Sequence, residues 1–185
     1  MIRPIVKYGD AVLRAKGKRV AKVDDAIREL ASDMLETMYA ANGIGLAAQQ
    51  IGEAVQLTVL DVSEVEDRPS TLKINGREAE LDASMPLVLI NPQLSLGEET
   101  VLGPEGCLSF PEINGDIVRA ESVVAKAETL DGQSIQLEAT GLLARALQHE
   151  VDHLNGILFI DRMSSAAKTA LASRLKRLQK ETQRA

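Results

Sequence analysis

The stretch QHEVDHLNG, residues 148 to 156, holds both histidines of the chain. His149 and His153 are spaced i, i+4. On a helix that spacing puts two side chains on one face with their Cβ atoms about 5–6 Å apart, close enough to grip one metal ion. H-E-x-x-H is also the helical signature in which the glutamate beside the first histidine, here Glu150, serves as general base. Around the histidines, Leu142, Leu143, Ala146, Leu147 and Leu154 cover most of the helix. Arg145, Gln148, Asp152 and Asn155 form only a narrow polar stripe. A helix apolar over most of its surface is buried, and unpaired polar groups there are costly. The chain must therefore wrap a core around this helix and satisfy its imidazoles. Asp152 has two readings: it orients a ligand or pairs with an arginine, or it only solvates the helix.

Two histidines leave a site incomplete, because catalytic metal centres of this kind take three protein ligands and keep one position open. The only cysteine, Cys107, lies in GPEGCLSFPE between glycine and proline residues, as though held in an extended segment. A lone cysteine is by default a small buried hydrophobe; beside an incomplete two-histidine site it becomes the candidate third ligand. It has no internal disulfide partner, which fits a reducing compartment. A third stretch, GIGLAAQQIG at residues 43–52, combines glycines that let backbone approach a ligand with the amides of Gln49 and Gln50. By itself it is also compatible with a plain helix end and turn.

The remaining sequence supplies an α+β frame. The stretch DDAIRELASDMLETMYAANG, residues 24–43, reads as a helix with an apolar stripe of Ile27, Leu30, Met34, Leu35 and Met38, with Asp24 or Asp25 as cap and Asn42-Gly43 as stop. Residues 54–62 and 86–92 read as strands, and Asp131-Gly132 marks a hairpin between two more. Thr140 is placed to cap the histidine helix, which stops near Gly156. The expected architecture is antiparallel sheets around a central buried metal-binding helix, with helices towards both termini. At 185 residues the chain fits one catalytic domain, 1–185, with an exposed acidic insertion at 63–84 and a C-terminal helix at 165–185. Asn75-Gly76 suggests a small hairpin within the insertion. A net charge of −6 argues against free nucleic acid as partner. No run is apolar or long enough for a membrane span or signal peptide, which points to the cytoplasm.

Taken in order, GIGLAAQQ, EGCLS and HEVDH resemble the three motifs of the peptide deformylases, G-x-G-hydrophobic-A-A-x-Q, E-G-C-hydrophobic-S and H-E-x-D-H. Flanking segments such as LINP and GLLARALQHE extend the likeness over nearly the whole chain. The resemblance implies removal of the N-formyl group from formyl-methionine at the start of nascent proteins, with release of formate. It implies Cys107, His149 and His153 as metal ligands and Glu150 as general acid/base. Gln50 and the backbone N–H of Leu108 would stabilise the oxyanion. Gly43, Ile44, Gly45, Glu105 and Gly106 would contact the substrate. The family's native metal is usually Fe(II), with zinc, nickel or cobalt also accepted. The resemblance further implies that the C-terminal helix, basic through Lys168, Arg174, Lys176, Arg177 and Lys180, docks on the ribosome.

Two positions depart from the family pattern. Arg145 stands where an apolar residue would line the methionine pocket: either it points outward with the polar stripe, or specificity is altered. Asn114 and Gly115 replace basic residues at the substrate entrance. Two other readings of the histidine helix are a zincin-like protease, with Asp161 as nearest downstream third ligand, and a non-enzymatic metal-binding module.

Overall fold

The computed structural model describes residues 1–185. Helix α1, Asp25–Ala40, begins where the Asp24 carboxylate accepts from the Ile27 N–H. It buries Leu30, Met34 and Met38 against strands β1, Gly45–Ala47, and β2, Leu57–Leu60. Strands β3, Ser70–Ile74, and β4, Arg77–Glu78, form the hairpin at Asn75-Gly76, where both turn residues take positive φ. Then come β5, Leu87–Leu96; β6, Thr100–Cys107; β7, Phe110–Ala120; β8, Ser122–Glu128; and β9, Ser134–Thr140. Helices α2, Gly141–Leu154, and α3, Ser165–Arg184, complete the chain. The expected α+β architecture is present, with every pair of neighbouring strands antiparallel. One sheet has seven strands in the order β1-β2-β5-β8-β9-β3-β4; β6 and β7 form a second.

Helix α2 lies between the sheets. Leu142, Leu143, Ala144, Ala146 and Leu147 join the core formed by β2, β5, β8 and β9. Its start is held differently from the sequence expectation. Thr140 occupies the cap position, but its hydroxyl bonds to that of Thr71 and caps nothing. Ser70 Oγ accepts from the Leu143 N–H instead, at 2.9 Å. Such a cap contributes about 1 kcal/mol. Residues 63–84 are thus not only an exposed appendage, since β3 pairs with β9 and buries Leu72.

A third core of Leu13, Phe110, Ile113, Ile117, Phe159 and Leu175 joins β7 to α3 and the N-terminal segment. Phe110 stacks on Tyr8 and meets Phe159 edge-on. The β6–β7 pair was not legible as strands. Glycines and prolines break its alternation, Glu112 sits at φ 61°, and the register shifts between Gly106 and Cys107. That irregularity ends β6 at Cys107 and turns the sulfur towards α2.

Candidate metal centre

The donor atoms of Cys107, His149 and His153 lie within 4.8 Å of one another, with both histidines buried. Cys107 Sγ is 3.3 Å from His153 Nε2. Tetrahedral ligands at about 2.0–2.3 Å from an ion stand about 3.3–3.6 Å apart, so the cluster fits one divalent cation. His149 Nδ1 is 2.8 Å from Glu105 Oε1. A carboxylate only accepts, so Nδ1 carries the proton and Nε2 is left free to coordinate. Burial alone would lower His149, but the Cys107 sulfur and the Glu105 carboxylate overcome it and hold the imidazole well above its usual range. His153 moves the opposite way, pushed down by burial and by the neighbouring His149 charge. A metal entering here must displace a proton, since it takes neutral imidazole and thiolate.

The carboxylate of Glu105, expected among substrate contacts, is engaged within the chain. It is buried and also accepts from Arg119 Nε at 2.8 Å and Nη2 at 2.9 Å, and from Arg145 Nη1 at 2.8 Å. Glu105 is also among the residues that line the cleft. Arg145 does not point outward. It is buried, and its guanidinium also donates to the carbonyls of Val101 and Ile117. Arg145, Gln148 and Asp152 of the helical polar stripe are buried against partners on the β6–β7 side while Asn155 stays exposed, and the buried Glu105 charge draws the arginine in. Asp152 likewise pairs with Arg119 and Arg162, not with a ligand.

Glu150 stands beside the cluster but is not part of it. Burial raises its carboxyl to about 7, and Oε2 is buried without a partner. Gly45 makes room for it: a Cβ there would stand 2.5 Å from Glu150 Oε1. Gln50 is fixed by its own Oε1, which accepts from the Ala47 N–H at 2.9 Å. Its Nε2 points at Ser109 Oγ (3.2 Å) and Cys107 Sγ (3.6 Å). The Leu108 N–H makes no hydrogen bond within the chain. Gly43, Ile44, Gly45, Gly106, Leu108, Arg145 and Glu150 line one cleft of about 480 Å³, with Asn114 at its margin and paired to Gly106 across the sheet.

Several contributors were not legible in the sequence. Lys7 Nζ donates to the Leu108 carbonyl at 2.9 Å, Tyr8 N–H to the Ser109 carbonyl, and Val6 N–H to the Gln50 carbonyl. The N-terminal segment therefore pins both the turn after Cys107 and the Gln50 backbone. No local signal marks those residues. Arg119 had one: with Ile113 and Ile117 it falls on the inward face of β7 at period two.

Asp161 is excluded as a ligand, because Arg14 Nη1 and Nη2 hold its carboxylate at 2.5 and 3.1 Å. That removes the zincin-like alternative, and no fourth protein ligand joins the cluster to close a structural site. A metal-binding pair on a buried helix, a thiolate from a separate strand and an adjacent buried carboxylate define a mononuclear metallohydrolase. The model of the polypeptide deformylase family matches residues 2–169. The peptide deformylase of Opitutus terrae is 46% identical over 183 residues, covering 98% of this chain and 95% of that protein. That of Methylacidiphilum infernorum is 43% identical, covering 97% and 94%. Among solved structures, the Thermus thermophilus peptide deformylase superposes with a TM-score of 0.82 at 38% identity, covering 98% of this chain and 99% of that one. The enzyme of Ehrlichia chaffeensis gives 0.82 at 36%, covering 96% of each. The chain belongs to the polypeptide deformylase family.

Proposed function

We propose that this protein hydrolyses the N-formyl group of formyl-methionine at the start of nascent chains, giving formate and a free amino terminus, and that residues 1–185 act as one catalytic domain. The observation that carries the assignment of roles is the convergence of Cys107, His149 and His153, with Glu150 and the Gln50 amide beside them. The three ligands would hold a divalent ion, which supplies the Lewis acidity that polarises a carbonyl and acidifies water. Glu150 takes the proton from the attacking water and delivers it to the leaving amine as the C–N bond breaks. Burial, by raising its carboxyl to about 7, suits it to both transfers near neutral pH. A cation bound beside it draws that value down again. The Gln50 Nε2–H and the Leu108 N–H donate to the oxyanion; one such donor is worth about 3–4 kcal/mol in the transition state. The substrate backbone lies extended along Gly43–Gly45 and Gly106, because β1 is an edge strand and β6 pairs only with β7. Formate release from a formyl-methionyl peptide by the metal-loaded protein is the direct test, and a loaded protein that released none would overturn the proposal.

The base sits against Gly45, so Gly45→Ala displaces it. A misplacement of about 1 Å costs on the order of 10²-fold in rate. The variant should keep its metal and lose kcat by that factor; an unchanged kcat would detach Glu150 from its assigned position.

The proposed metal in the cell is Fe(II). A thiolate with two imidazoles binds zinc more tightly than Fe(II), so affinity does not select iron. The expectation is a difference in turnover: protein stripped and reloaded without oxygen is more active with Fe(II) than with zinc. The iron form then loses activity in air as the metal and the Cys107 thiolate oxidise. Equal turnover of the two forms would count against iron.

Helix α3 exposes Lys168, Arg174, Lys176, Arg177 and Lys180, and no helix of the structure is long and apolar enough to cross a membrane. These cations are proposed to dock on the phosphate-rich ribosome in the cytoplasm, with salt-sensitive affinity. Leu175 is buried in the third core, so truncating the helix would damage the fold. Lys176→Gln, Arg177→Gln and Lys180→Gln together should instead reduce ribosome co-sedimentation and leave turnover on a free peptide intact. Unchanged co-sedimentation would exclude docking through this helix.

A further inference from the structure

Helix α2 separates two clefts. Arg145, His149 and Glu150 face the metal cleft, while Gln148, Val151, Asp152 and Asn155 face another, larger cleft of about 690 Å³ on the opposite side. The second cleft is lined by four cations, Lys16, Arg19, Arg119 and Arg162, and by the single carboxylate of Asp152. In a chain of net charge −6 this is a local reversal of sign. Arg119 and Arg162 are committed to Asp152, and the Arg162 side chain remains 46% exposed. The other two cations are held more loosely. Lys16 makes no hydrogen bond or ion pair, and Arg19 only approaches Glu128, at 3.7 Å. Beside them stand Leu96 and Val118, 60% and 55% exposed. Cations that share the lining of one concave site with a single carboxylate leave it net positive and attractive to an anion, and exposed apolar side chains at its wall favour a ligand with an apolar body.

We propose that this cleft binds a small phosphate monoester with an apolar body, its dianion held by Lys16, Arg19 and Arg162, and that binding is felt at the metal centre. Guanidinium and ammonium donors suit a phosphate dianion better than a monoanionic carboxylate. The link to the centre is a continuous chain of paired charges. Arg162 Nη2 is 2.9 Å from Asp152 Oδ1, Asp152 Oδ2 is 2.6 Å from Arg119 Nη1, Arg119 holds Glu105 at 2.8 and 2.9 Å, and Glu105 holds His149 Nδ1 at 2.8 Å. A phosphate that draws Arg162 away leaves Asp152 more strongly paired with Arg119, and so shifts the hold of Arg119 on Glu105.

Titration of the zinc-loaded protein with phenyl phosphate, followed by backbone amide and histidine ring ¹⁵N resonances, tests both parts. Saturable shifts are expected at Lys16, Arg19, Leu96 and Val118, with affinity at least tenfold weaker in Lys16→Gln/Arg19→Gln. Both side chains are exposed, Lys16 is unpaired and Arg19 has only a long surface ion pair with Glu128, so that variant keeps the fold. Absence of saturable shifts, or equal affinity in the double variant, would overturn the site. Equal affinity for benzoate would overturn the phosphate class. The His149 ring resonances should move in the wild type and stay still in the double variant at the same concentration. Binding with His149 unmoved would overturn the coupling. The binding result stands or falls independently of deformylation.

Discussion

Glu150→Gln should keep its metal and its fold and lose deformylation by about 10²–10⁴-fold, the usual contribution of a positioned acid/base group. The separation is expected because Glu150 lies beside the ligand set rather than in it. Glutamine preserves the shape that fits against Gly45. It also removes a carboxylate whose Oε2 is buried without a hydrogen-bond partner, so the metal-free variant should be no less stable than the parent. Metal content by elemental analysis, unfolding midpoint and formate release at saturating peptide give the three readouts. Metal retention with near-parental turnover would remove Glu150 from the proton transfers. Loss of metal along with activity would instead make it part of the binding apparatus. Because the loss lies in a step after binding, KM should change much less than kcat.

What was legible in the sequence follows from how local each constraint is. His149, Glu150 and His153 lie within one helical turn, so their mutual geometry is written in their spacing, and the apolar wrapping of α2 announces its burial. Cys107 could be joined to them only by the incompleteness of the pair. What joins it physically is a strand end with an irregular register, which no periodicity reveals. The polar stripe of α2 was the place where periodicity misled. Arg145, Gln148 and Asp152 look like a solvated face, yet all are buried, because the second sheet covers that face and supplies Glu105, Arg119 and the Ala120 backbone as partners. A polar stripe records hydrogen-bonding capacity; whether water or protein satisfies it depends on contacts far along the chain. The same applies to Thr140 and Ser70, where a hydroxyl distant in sequence took over the helix cap.

The largest expected loss of stability comes from that covered face. Glu105 is one buried carboxylate facing two buried guanidiniums and the proton of His149 Nδ1. Burial alone would raise it, but Arg119 and His149 overcome that and hold it well below the usual carboxylate range. A group depressed in the folded state contributes its stability above its unfolded pKa and loses it only as pH falls through the folded value. The cluster therefore stays intact through mild acid. Glu105→Gln keeps the volume and deletes the charge, leaving Arg119 and Arg145 facing an amide that cannot accept from all of their donors. Breaking a buried ion pair from one side costs about 3–5 kcal/mol. Arg145→Met should cost less, since Glu105 keeps Arg119 and His149. The metal is also affected, because loss of the carboxylate that fixes the tautomer of a ligating histidine weakens metal affinity by about 10–100-fold. Urea unfolding of the metal-free Glu105→Gln protein at pH 7 measures the first effect, and chelator competition on the loaded protein measures the second. If Glu105→Gln unfolded within about 1 kcal/mol of the parent, the charges on this face would have to be satisfied by something other than Glu105. If stability fell but metal affinity did not, the carboxylate would be holding the sheet to the helix without orienting His149.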